Sequence, residues 1–111
     1  MSTHPPSRPD LLIRAIQPQD FDAWRPLWEG YNAFYGRSGT TALAHDITLT
    51  TWERFFNPIE PVFALVAQEN GTLVGLAHYL FHRSTTRLAP VCYLQDLFID
   101  PAQRQRGLGK R

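Results

Sequence analysis

Gln103-Arg104-Gln105-Arg106-Gly107-Leu108-Gly109-Lys110-Arg111 follows an apolar, strand-like run over 91–99 and an Asp100-Pro101 turn. A strand, a turn and a glycine-spaced basic loop together form the arrangement that holds a phosphate chain on backbone amides. Gly107 and Gly109 lack a Cβ, so the backbone there can approach phosphates closely. Arg104, Arg106 and Lys110 can add charge-assisted hydrogen bonds. The loop points to a phosphate-bearing cofactor. The competing reading is a solvated basic tail, since four of the eleven basic residues fall within 104–111.

The spacing of the loop separates three classes. A Walker A loop needs G-x-x-x-x-G-K-[ST]. With Gly109-Lys110 in register, positions 104 and 111 would have to be Gly and Ser or Thr, and both are Arg. The Rossmann pattern G-x-G-x-x-G follows the first strand of a βαβ unit, and this loop follows a fourth strand with a different spacing. Arg104-Gln105-Arg106-Gly107-Leu108-Gly109 matches the third pattern, [RQ]-x-x-G-x-[GA], throughout.

Upstream, residues 11–16 read as a first strand. Pro18 opens a helix where its missing N–H costs nothing. Phe21, Trp24, Leu27, Trp28, Tyr31, Phe34 and Tyr35 recur every three or four residues and make one helical face aromatic. Pro26 lies inside that pattern and is expected to kink or divide the helix. Gly36 is the expected stop. Thr50-Thr51-Trp52-Glu53 matches a capping box, which predicts a short second helix starting near Thr51 and ending at Asn57-Pro58. Strands are predicted over 62–69 and 72–81, joined by Asn70-Gly71 as a two-residue hairpin turn. The fourth strand is predicted over 91–99. No internal repeat or low-complexity segment interrupts this order.

Composition narrows the class. A chain of 111 residues fits one domain, and 43% apolar content with 14 aromatics supplies a bulky core. No run approaches the roughly 20 apolar residues of a membrane span. Residues 1–9 have no apolar signal region, and residues 1–10 are expected to be a disordered tail. A net charge of +1 argues against a dedicated nucleic-acid partner. Cys92 alone excludes an internal disulfide and a cysteine zinc cluster, and it is expected to be a buried strand residue. The expected location is cytoplasmic. His78 and His82 lie about 13 Å apart on an extended strand, too far to share one ion, so no metal is expected.

The loop and its setting resemble the Gcn5-related N-acetyltransferases (GNAT). Leu94-Gln95-Asp96-Leu97-Phe98-Ile99-Asp100-Pro101 is similar to the strand that precedes the acetyl-CoA loop in that family, including its Asp-Pro turn. The stretch 77–85, with Cys92-Tyr93-Leu94-Gln95-Asp96-Leu97-Phe98, resembles a subgroup related to fungal histone/polyamine and spermidine/spermine acetyltransferases. The resemblance spans about residues 11–111. It implies an α/β (α+β) acyl-CoA N-acyltransferase fold, with a mixed, mostly antiparallel sheet flanked by helices. It also implies that residues 11–111 are the N-terminal part of a single domain, an inactive fragment by itself.

Further roles follow from the resemblance. Arg104, Gln105, Arg106, Gly107, Leu108, Gly109 and Lys110 would grip the pyrophosphate of acetyl-CoA. The main chain of Leu97, Phe98 and Ile99 would pair with the pantetheine arm, a form of strand addition. The subgroup carries adjacent acidic residues before its Leu-Phe pair. Here that pair is Gln95-Asp96, which leaves Asp96 as the candidate base and Gln95 as a substrate contact. Tyr31 and Tyr35 are candidate substrate-binding residues, with core packing as the competing role. The family's general acid, a tyrosine on a later helix, would lie beyond Arg111. The implied reaction is acetyl transfer to a primary amine by direct attack in a ternary complex. Polyamine or small-amine acceptors are favoured, with a protein lysine or an aminoglycoside as alternatives. A homodimer is expected for the full-length form. The rival functional class is a non-catalytic CoA-binding or partner-binding module.

Overall fold

The computed structural model describes residues 11–102. Asn70 and Gly71 both take positive φ, 52° and 81°. That is the backbone a tight primed hairpin turn requires, and Asn and Gly enter it with the least strain. The turn joins β2 (Val62–Glu69) to β3 (Thr72–His82). β1 (Leu11–Ala15) pairs with β2, and β4 (Val91–Ile99) pairs with β3. All three pairings are antiparallel, in the order β1-β2-β3-β4.

Two helices cross one face of this sheet. α1 (Phe21–Phe34) follows a 3₁₀ turn at Pro18–Asp20, and α2 (His45–Arg54) follows another at Gly39–Thr41. The aromatic face of α1 buries Trp24, Leu27, Trp28 and Tyr31. These meet Ala64, Val66, Leu76 and Phe98 from the sheet to form the main core. Gly30 permits the close approach of α1 to β4, because a Cβ there would sit 3.0 Å from the Phe98 ring. Arg14 ties β1 to the start of α1 through two bonds to Asp20, at 2.7 and 3.0 Å.

Three expectations change. Of the kink or break expected at Pro26, the break does not occur, and α1 runs unbroken to Phe34. Pro26 and Asp22 are both exposed, so the carbonyl that loses its partner faces solvent. α2 begins at His45, not near Thr51, and Thr50-Thr51-Trp52-Glu53 lies inside it. Thr48 is buried there and accepts a 3.1 Å hydrogen bond from the Trp28 indole. That tertiary bond outweighs the weak helix preference of threonine. Cys92 is exposed, because β4 reaches past the helices at that end.

The opposite face of the sheet is apolar and, among the described residues, open. Ile13, Leu65, Ala67, Ala77, Leu97 and Ile99 line a shallow groove of about 230 Å³ there. Phe63, Tyr79 and Phe81 continue the apolar surface, with ring centroids 5.4 to 5.9 Å apart. Among the described residues no helix is long and apolar enough to cross a membrane.

Candidate active site

The pairing of β3 with β4 slips by one residue at its centre. His78 faces Asp96, but Tyr79 faces Leu94, so Gln95 is the extra residue of a bulge. Neighbours on a regular strand point to opposite faces. The bulge breaks that alternation, and Gln95 and Asp96 line the same cavity of about 440 Å³. Trp28, Asn32, Arg37 and Arg54 line it from the helical side.

Beneath Asp96 lies a buried hydrogen-bond chain. The Trp24 indole N–H donates to His78 Nε2 at 3.0 Å. His78 Nδ1 lies 2.9 Å from Asp96 Oδ2. An indole N–H can only donate, so Nε2 supplies a lone pair and Nδ1 carries the proton given to the carboxylate. Tyr31 is also buried, within reach of the charge of that carboxylate. Burial, then that carboxylate, pushes the Tyr31 phenol up to about 12. Tyr31 is therefore neutral in the working range of pH.

The helix end sets the other wall. Gly36 N–H bonds Ala33 O at 3.0 Å and Arg37 N–H bonds Asn32 O at 2.8 Å, the pattern of a Schellman close. It turns Arg37 back so that its Nε donates to Asn32 Oδ1 at 2.6 Å. The guanidinium then lies 6.0 Å from the Tyr31 ring centroid and 5.7 Å from that of Tyr35. Arg54 ends α2. Among the described residues neither Arg37 nor Arg54 pairs with a carboxylate. Asp96 is the single carboxylate among the residues lining the cavity.

The register separates the trio on β4. Asp100 N–H bonds Val74 O at 2.9 Å, so alternate residues from Asp100 back along the strand, including Phe98, turn their main chain toward β3. Leu97 and Ile99 turn theirs to the other edge, which pairs with no strand among the described residues. Phe98 thus departs from the expectation for all three. Its ring fills the core and its N–H faces β3. Two N–H groups spaced two residues apart on that edge suit a peptide-like arm such as pantetheine. The loop residues Arg104, Gln105, Arg106, Gly107, Leu108, Gly109 and Lys110 lie outside the described residues, as do residues 1–10.

A family model of the acetyltransferase (GNAT) family matches residues 22–111. The chain belongs to that family. Among GNAT relatives, the D-amino-acid N-acetyltransferase HPA3 of Saccharomyces cerevisiae is 31% identical over 103 residues, covering 91% of this chain and 62% of the yeast protein. The N-acetyltransferase YhfO of Bacillus subtilis is 28% identical over 101 residues, covering 91% of this chain and 64% of that protein. The chain therefore spans less than two thirds of these curated relatives. In fold it is similar to a possible acetyltransferase from Clostridium difficile 630, with a TM-score of 0.75 at 15% identity, covering 90% of this chain and 64% of the other. The aminoglycoside acetyltransferase AAC(6')-Iy, in complex with the bisubstrate analogue CoA-S-monomethyl-acetylneamine, gives a TM-score of 0.68 at 21% identity, with 90% and 64% coverage.

Of the residues singled out from the GNAT-like sequence, Asp96 and Gln95 line the cavity together, while Tyr31 is buried in the core. Tyr35 is exposed, its ring centroid 5.0 Å from that of Tyr31. Trp24, His78, Arg37 and Arg54 were missed as site residues. Trp24 and His78 are 54 positions apart, and no local pattern joins residues so far separated.

Proposed function

We propose that the whole protein transfers acetyl from acetyl-CoA to a primary amine held in the cavity between α1, α2 and the β4 bulge. The observation that carries this reading is the juxtaposition of Gln95 and Asp96 with the N–H groups of Leu97 and Ile99, which face away from β3 on the same strand. Those two N–H groups and the loop 104–110 would hold the cosubstrate, which supplies the acetyl group as a reactive thioester. An alkylamine resembles lysine, with a pKa of about 10.4, and must lose a proton before it can attack. Asp96 takes that proton directly or through one water. The Gln95 amide, which cannot act as a base, orients the acceptor.

The charge of the cavity bears on the acceptor. Two guanidiniums and one carboxylate make a poor home for a polyamine. They suit an amine that carries its own carboxylate, with the amine at Asp96 and the acid group at Arg37 or Arg54. The yeast relative, named for D-amino acids, supports the same choice. The site accordingly belongs to an amino acid or a related zwitterion, in a cytoplasmic protein. Because the 111 residues span less than two thirds of the curated relatives, this reading expects them to be inactive by themselves.

Release of CoA thiol by the whole protein tests this with amino acids of both hands, spermidine, neamine and a lysine peptide. Amino acids should exceed spermidine in kcat/KM by at least about tenfold. Spermidine as the best acceptor would defeat the assignment of the substrate. Asp96→Asn should lower kcat by about a hundredfold or more. Tight CoA binding with no turnover on any amine would favour a non-catalytic module.

A further inference from the structure

His78 is 2% exposed and is the polar residue most enclosed by the aromatic core. The rings of Trp24, Trp28 and Phe55 surround it, with centroids 4.7 to 6.0 Å away. Nothing in the reading above requires a histidine at this position, and a core built for packing alone would be filled by an apolar side chain. We propose that Trp24 and His78 form a positioning relay that holds the carboxylate of Asp96 toward the cavity, with His78 acting toward Asp96 only as a donor. What Asp96 then does to an amine rests on the function proposed above. How it is held does not.

The hydrogen bonds fix the direction of the relay. The Trp24 N–H occupies the one lone pair of His78 at Nε2, at 3.0 Å. The His78 proton is thereby confined to Nδ1, where it meets Asp96 Oδ2 at 2.9 Å. A proton taken up by Asp96 cannot pass to Nδ1, which already bears one, nor reach Nε2, which the indole covers. His78 is thus a clamp and not a second base. Asp96 is the ionisable group facing His78 across β4, while α1 presents Trp24 and Trp28, and Phe55 follows the end of α2. The His78 donor, itself held by the indole, restrains the carboxylate about its last bond, so the part of it that lines the cavity keeps one orientation.

The tautomer can be read directly. In the intact protein labelled with ¹⁵N-histidine, His78 should show a protonated, pyrrole-type Nδ1 and an unprotonated, pyridine-type Nε2 at pH 7.5. Trp24→Phe removes the indole donor while keeping an aromatic ring, and should erase that asymmetry. An Nε2-protonated or doubly protonated ring in the unaltered protein would overturn the relay.

Kinetics supply the second arm. His78→Leu should lower kcat by about tenfold or more with KM nearly unchanged. His78→Asn, whose amide can still donate to Asp96, should recover most of that loss. Trp24→Phe should fall between the two. Equal losses in the Asn and Leu variants, or a kcat within about twofold of the parent in all three, would sink the proposal. A protein with the Nδ1–H tautomer but no transferase activity on any amine would leave the relay standing and remove the function assigned to it.

Discussion

Tyr31 and Asp20 are two residues whose protonation the structure ties to stability, in opposite senses. Tyr31 holds its proton more tightly folded than unfolded, because burial and the Asp96 carboxylate raise it from 10.0 to about 12. Its contribution is complete below pH 10 and declines as pH rises from there toward about 12. Urea titrations at rising pH should show the parent losing stability relative to Tyr31→Phe across that interval, and the variant should lose one tyrosine's share of the phenolate absorbance, the share that rises near pH 12. Asp20 behaves conversely. The Arg14 hydrogen bonds hold its carboxyl below the usual 3.8. Its contribution is present above pH 3.8 and is lost as pH falls through the lower folded value. Asp20→Asn should cost about 1.5–3 kcal/mol at pH 7, from loss of charge-assisted bonds. It should also flatten the acid side of the stability profile below pH 4, as followed by denaturant midpoints.

At the scale of elements, α2 depends on a contact with its neighbour more than on its own sequence. His45–Arg54 contains three threonines, and only Thr48 is buried. Thr48→Val keeps the shape but strands the buried Trp28 N–H, so it should cost about 1–3 kcal/mol by chemical denaturation. The same substitution at the exposed Thr50 should cost far less. The β4 bulge is the second such case. One extra residue turns Gln95 into the cavity beside Asp96 without shortening the strand. An alternating pattern read along 91–99 sends the two side chains to opposite faces, which is the reason they could be named from the sequence but not placed together.

For the whole molecule, the asymmetry of the sheet is the dominant fact. One face carries α1, α2 and the core, while the other leaves Ile13 and Leu97 each 58% exposed. A face this apolar associates when nothing covers it. The 111-residue chain by itself should bind a hydrophobic dye and sediment as a concentration-dependent mixture. Replacing Ile13 with Thr and Leu97 with Asn should reduce both signals. A clean monomer without dye binding would show that the face is shielded.

The order of the elements, the Asn70-Gly71 hairpin and the aromatic face of α1 were all legible along the chain. Each is written in residues a few positions apart, where propensity, periodicity and turn stereochemistry act. The start of α2, the bulge at Gln95, the fold-back of Arg37 and the Trp24–His78–Asp96 chain were not legible. They depend on which strand lies beside which, in what register, and how near a helix can come to it. Local sequence sets the pieces because backbone preferences are short-ranged. Tertiary packing alone set the hydrogen bonds of the site, because their partners meet only after the sheet and α1 have closed on one core.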